Sequence, residues 1–325
     1  MRGRHFSGVP SRVRALLAAG GAVLLIAAGI VAIFTLRGAG AQQPGRNTAV
    51  ATEPGSSGAP LTTTVSAASS SAARAAGSPH ADPFGAAAAS YVSSRTGVVL
   101  AAVYDLRTGQ TWHLGQGHPQ DEASVVKLDV LETLLAERSR SGTKLSASDR
   151  SLAEQMIEDS DNDAATSLWD EVGGASSIRS FNSSAGLANT APSSCVNCPG
   201  FPWPGWGLST TVPGDQLTLL RRLVEPNSLL TNPERSYALS LMENVTPDQR
   251  WGVSGGVPAQ ATVALKNGWL PLNSANNNWQ INSVGWISGS GRDYLIAVLT
   301  TENPTEQYGI DTINQLAAMV WNGMA

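Results

Sequence analysis

Apolar residues change their period twice along this chain, and the changes mark its elements. Residues 98–104 (VVLAAVY) form a continuous β-branched run. A turn at 105–109 and a return over 110–114 follow, which together predict a β-hairpin. From 124 to 138 the apolar positions fall at Val126, Leu128, Val130, Leu131, Leu134 and Leu135, the spacing of a helix. Further helices are predicted over 148–157, with Ser148 and Asp149 as cap, and over 163–172, 176–184 and 214–224. After Pro258 the pattern returns to strands at 261–266, 281–288 and 294–300, closed by a helix over 306–321. A short Ala-rich helix is expected within 82–94, and no internal repeat is visible. Strands therefore open and close the folded region and helices fill its middle. This predicts an α/β (α+β) fold, with a mainly antiparallel sheet of terminal strands, terminal helices over one face and an all-helical inserted lobe. A site is expected in the cleft between the two lobes.

The N-terminal part reads differently. Residues 15–36 carry no charge, Arg37 closes the run, and Arg2, Arg4, Arg12 and Arg14 precede it. That length matches a bilayer core, and the arginines orient the segment with its N-terminus inside. Residues 1–37 are expected to be a cytoplasmic tail with a signal anchor, or a signal peptide cut after residues 39–41. No cysteine stands there to take a lipid. Residues 38–82 are Ala, Ser, Thr, Gly and Pro with almost no large apolar side chain, the composition of a disordered linker. The folded domain is expected over 83–325, on the extracytoplasmic face of the membrane, or secreted if the segment is cleaved. The formal net charge of −4 and the lack of a basic stripe exclude nucleic acid as a partner. A monomer without cofactor or metal is expected.

Of the 21 basic residues only Lys127, Lys144 and Lys266 are lysine, and two of them fall in chemical motifs. Ser124-Val-Val-Lys127 opens the first helix of the insert, Ser160-Asp161-Asn162 lies between two helices, and Lys266-Asn267-Gly268 ends a strand. Serine needs a base to become a nucleophile, and a crowded lysine can surrender its proton where arginine cannot. Residues three apart share a helix face, so Lys127 can serve as base for Ser124. The backbone N–H groups of Ser124 and Trp269 can form an oxyanion hole. Ser160 can relay a proton, Asn162 can hold an amide, and Lys266 can attract a carboxylate and tune Ser160. S-x-x-K, S-D-N and K-T-G together mark class A β-lactamases and penicillin-binding proteins, and the third motif here reads K-N-G.

Over about residues 95–323 the chain resembles the class A β-lactamase-related serine hydrolases of the β-lactamase and penicillin-binding-protein superfamily, in the membrane-tethered form common in actinobacteria. TGVVLAAVYDLRTGQTWHLG is similar to the family's opening hairpin, and MIEDSDNDAATSLWDEVGG to its S-D-N helix pair. STTVPGDQLTLLRRL is similar to the helix after its omega loop, and DQRWGVSGG with VALKNGW to the approach to its third motif. The resemblance implies Ser124 as the acylated nucleophile, Lys127 as its base, Ser160 and Lys266 as catalytic partners, and Asn162, Asn267, Gly268 and Trp269 as substrate contacts. The implied substrate is a β-lactam or a peptidoglycan stem-peptide amide.

The family's deacylating Glu has no counterpart, since residues 172–214 contain no Asp or Glu. Asp121, Glu122 and Asp215 stand as substitutes without motif support, so slow deacylation is expected. A non-catalytic envelope-binding protein is the rival reading. Cys195 and Cys198 form a C-x-x-C that is a redox pair, half a zinc site or a local disulfide; a disulfide is expected outside the cytoplasm. Phe201, Trp203 and Trp206 either pack their loop or line a cleft. Asn267 is expected to offer a polar side chain where a substrate carboxylate binds. Gly252-Val-Ser254-Gly-Gly256 fits a nucleophile elbow, but that arrangement needs a later histidine, and all four histidines precede Ser254.

Overall fold

A computed structural model describes residues 81–199, 205–272 and 277–325. The expected N-terminal anchor and linker, together with Phe201 and Trp203, lie outside the described residues. No helix among the described residues is long and apolar enough to cross a membrane.

The chain enters through α1 (Gly85–Ser93) and the hairpin β1 (Val98–Asp105) and β2 (Thr111–Leu114). It leaves through three long strands, β5 (Thr262–Pro271), β6 (Trp279–Gly289) and β7 (Arg292–Asn303), and then α8 (Glu306–Gly323). These strands make one antiparallel sheet in the order β2-β1-β7-β6-β5, with β1 and β7 in register from Val98↔Thr301 to Asp105↔Tyr294. The terminal strands therefore pair into one sheet, as expected, and within it the first and last strands of the sequence are neighbours. A short ladder of β3 (Gln120–Asp121) with β4 (Thr210–Thr211) was not expected.

Between them lie α2 (Val126–Ser141), α3 (Ala147–Glu158), α4 (Asn162–Glu171), α5 (Gly174–Ala185), α6 (Pro213–Val224) and α7 (Asn232–Glu243). The cap of α3 is Ser146 rather than Ser148. Its hydroxyl accepts from the Asp149 N–H, and the Asp149 carboxylate accepts from the Ser146 N–H in return. The sequence pattern did not reveal α7.

Side chains alternate across the sheet, so each strand feeds two cores. On one face Val99, Val103, Ile296 and Val298 pack with Ile313, Leu316 and Trp321 from α8 and with Phe84 at the start of α1. On the other face Ala102, Leu295 and Ala297 meet the helical lobe built around α2. Every residue of α2 from Val126 to Leu135 is buried, including Lys127, Asp129 and Glu132. A helix buried on all sides shows little amphipathic stripe, and its polar residues must be held for a reason other than solvation. Each large apolar side chain buried there is worth about 1.5–3 kcal/mol, which fixes the start of α2 firmly against the sheet.

Candidate active site

Ser124 sits in a 3-10 turn, Ala123–Val125, immediately before α2. The turn, rather than an α-helix, carries the start of the S-x-x-K motif. Residues three apart eclipse in such a turn, so the shared side survives. Ala123 has φ 49 and Ser160 has φ 57, both in the left-handed region that costs a non-glycine residue energy. Two strained residues, one at each motif serine or beside it, mark a site held in place by its surroundings.

Those surroundings are explicit. Asn282 on β6 donates from Nδ2 to the carbonyls of Asp121 (2.8 Å) and Glu122 (3.0 Å), tying the turn to the sheet. The edge strand β5 runs against the same turn. A Cβ placed on Gly268 would lie 2.7 Å from the Ser124 nitrogen and 2.8 Å from the Glu122 oxygen. Only glycine permits that approach. Because β5 is at the edge of the sheet, alternate N–H groups along it lack a strand partner.

Ser160 is the hub. Lys127 Nζ donates to its carbonyl oxygen (2.5 Å) and to its Oγ (3.1 Å), and Lys266 Nζ donates to the same Oγ at 2.9 Å. Asp161 caps α4 by accepting from the Ala164 N–H at 2.7 Å. The S-D-N segment is thus a helix cap and a member of the cluster at once. Asn162 accepts from Lys127 through Oδ1 at 2.8 Å, which leaves its Nδ2 as a donor at the cavity. Burial lowers the Lys127 pKa to about 7, with Asp161 opposing the shift. Burial first, and the neighbouring Lys127 second, hold Lys266 well below its ordinary value. Two buried amines that share one hydroxyl cannot both stay charged at low cost. Ser124 Oγ makes no hydrogen bond to Lys127 among the described residues; transfer of its proton to that amine would need a small rotation or a bridging water.

Ser124, Ser160 and Asn162 open into a cavity of about 390 Å³, with Trp206, Trp269, Leu270, Pro271 and Trp279 in its walls. Trp206 is buried. Its ring lies 5.1 Å from Lys127 Nζ, and its Nε1 donates to Thr166 Oγ1 at 3.1 Å. Packing and lining are therefore the same act for this residue. The disulfide Cys195–Cys198 is present, and Gly205 packs on it with its N–H bonded to the Cys195 carbonyl at 2.8 Å. The disulfide thereby fixes the chain one residue before Trp206.

Asn267 departs from expectation. Its side chain is buried and donates to the carbonyls of Gln249 (2.7 Å) and Trp251 (3.1 Å), away from the cavity. None of Asp121, Glu122 and Asp215 lines the cavity. Asp215 accepts from the Asn189 N–H and the Thr190 hydroxyl, and Glu122 is enclosed beside Gln216 with its pKa raised by burial. No group of side chains suited to a metal ion occurs among the described residues. Trp279, Asn282 and Gln249 were not singled out from the sequence; only their place in the fold brings them here.

The fold is that of class A enzymes. The TLA-1 extended-spectrum β-lactamase superposes with a TM-score of 0.64 at 18% identity, covering 72% of this chain and 95% of that one. A β-lactamase from Chitinophaga pinensis gives 0.62 at 18%, over 72% and 96%, and PBP-A gives 0.61 at 20%, over 72% and 92%. Proteins of Mycobacterium tuberculosis and Mycobacterium bovis named "Putative lipoprotein LppW" are 27% identical over 220 residues. The alignment covers 66% of this chain and 66% of each relative's own length. A family model described as Beta-lactamase enzyme family matches residues 137–324, beginning downstream of Ser124 and Lys127. With more than half of its length matched, this chain belongs to the beta-lactamase enzyme family.

Proposed function

We propose that this protein is a serine hydrolase acylated at Ser124 by β-lactams or by peptidoglycan-type amides. The observation that carries the reading is the Ser160 hydroxyl, held by both Lys127 and Lys266 beside Ser124 at an open cavity. Neutral Lys127 takes the Ser124 proton as Oγ attacks the carbonyl carbon. The C–N bond breaks, and the proton passes through Ser160 to the leaving nitrogen, so the amine forms as Lys127 returns to neutral. The N–H groups of Ser124 and Trp269 receive the oxyanion, with the N-terminus of α2 behind the first of them.

Deacylation by a penicillin-binding-type, slow route is favoured by a specific observation. Residues 172–214 carry no carboxylate, and the neighbouring acids are turned away from the cavity. Residues 15–36 serve as a signal anchor that keeps the domain at the outer face of the membrane, or as a signal peptide whose cleavage releases it. The relatives bear the name lipoprotein, and Cys195 and Cys198 of this sequence pair with each other.

The test is to mix the full-length protein with a chromogenic cephalosporin and follow both colour and intact mass. A lasting adduct, absent in Ser124→Ala, with little turnover, is expected. Fast colour change without an adduct would restore efficient β-lactamase action and refute the slow deacylation. Neither adduct nor colour would leave only the non-catalytic, envelope-binding reading.

A further inference from the structure

The walls of the cavity specify what the acyl donor looks like, given the reading that Ser124 is acylated. Trp206 reaches it from the helical lobe, and Trp269, Leu270, Pro271 and Trp279 from the sheet. No charged side chain is among its described lining residues. The stretches 200–204 and 273–276 contain no Arg, Lys or His in the sequence.

Behind this lining, the side chains of Lys266, Asn267 and Arg250 each have partners elsewhere. Lys266 is fully buried, and its Nζ donates to Ser160 Oγ and, at 3.1 Å, to the Asn267 carbonyl. Asn267 spends its amide donors on Gln249 and Trp251, and its Oδ1 is buried without a partner. Arg250 is exposed and donates to the Glu243 carbonyl at 2.7 Å, outside the cavity lining. Burial also keeps Lys266 well below its ordinary pKa, which weakens it as an electrostatic lure. A carboxylate entering this cavity would lose its water without gaining a charged partner, whereas a neutral ring would meet walls of tryptophan, leucine and proline side chains.

We propose that the site selects its acyl donor by apolar ring contact with Trp206, Trp269 and Trp279 and does not read a carboxylate beside the scissile amide. Its substrate class is then an amide that is neutral on the leaving side, such as one internal to a chain or capped at its end. A β-lactam still acylates Ser124 through its strained ring, but its carboxylate contributes nothing to the rate.

A chromogenic cephalosporin and its methyl ester, each mixed with the full-length protein, separate the possibilities by the rate of adduct formation in the intact mass. The ester is expected to acylate at a rate above the acid or within about threefold of it. An acid faster by a wider margin overturns the proposal, and loss of that margin in Arg250→Gln would identify the group that reads it. Trp279→Ala is expected to slow both compounds alike, by about 3–10-fold, with Trp279→Phe recovering most of the rate. Unchanged rates for both compounds in Trp279→Ala would overturn the role of that wall. No adduct with either compound would overturn Ser124 acylation itself, and this inference with it.

Discussion

Gly268→Ala is the substitution that probes the site geometry most sharply. The added methyl would lie 2.7, 2.8 and 2.9 Å from the Ser124 nitrogen, the Glu122 oxygen and the Val125 nitrogen, where ordinary contact begins at 3.4 Å. All three atoms are backbone, so no side chain can swing aside. The strand β5 and the Ser124 turn must therefore separate by about 0.5–0.7 Å. An oxyanion donor works within a window of about 0.4 Å, between 2.7 and 3.1 Å, so the shift removes the contribution of Trp269. The expected loss is about 10²–10³-fold in Ser124 acylation, or ~2.7–4 kcal/mol. The accompanying strain costs ~1–3 kcal/mol of stability, which leaves the domain folded if its total is ordinary. Second-order acylation rates from intact mass, alongside thermal unfolding, separate the two effects. A folded Gly268→Ala protein that acylates within about threefold of wild type would refute the oxyanion role of the β5 edge.

Two further outcomes follow from buried charge. Lys127 must be neutral to act as base, so the acylation rate should rise with pH, fall about tenfold per unit below pH ~7 and level above it; a flat profile from pH 5 to 8 would remove Lys127 from that role. Lys127→Arg, which cannot lose its proton, should acylate about 10²–10⁴-fold more slowly. Glu132 is fully buried, and neither of its carboxylate oxygens has a partner; burial raises its pKa, with Asp129 adding to the shift and Arg222 opposing it. The folded state therefore holds that proton above the pH where the unfolded chain releases it, and stability falls as pH rises past the unfolded value. Glu132→Gln should raise the melting temperature at pH 7.5, by about 2–4 °C per kcal/mol gained, with the gain shrinking toward pH 4; equal gains at both pH values would contradict this.

The sheet and most helices were legible because their patterns are long and of one period. The continuous apolar runs at 98–104 and 294–300 end as central, paired strands, buried on both faces. The helix α7 escaped notice although Thr231 and Glu234 form its capping box, because its buried stripe is thin: Arg235, Ala238, Leu241 and Met242. At α3 the expected cap, Ser148, is already helical, and Ser146 caps instead. Strand β5 continues to Pro271, five residues beyond its expected end, because Lys266 and Asn267 are polar yet both buried, each claimed by a different lobe or loop. Alternation along a strand says that two neighbours face opposite ways, but not which way the cleft lies. That is why the four motif side chains could be named in advance while the inward turn of Asn267 could not. Trp279 and Asn282 carry no motif at all, and they reach the site only through the pairing of β6 with β5.

The central claim is tested most directly by locating the adduct. Full-length protein trapped with a cephalosporin, then digested and sequenced by mass, should carry the acyl group on Ser124 within ASVVK, and Lys127→Arg should show far less of it at the same time point. An acyl group on any other residue, or equal labelling in the Lys127→Arg protein, would contradict the assignment of this serine and this lysine.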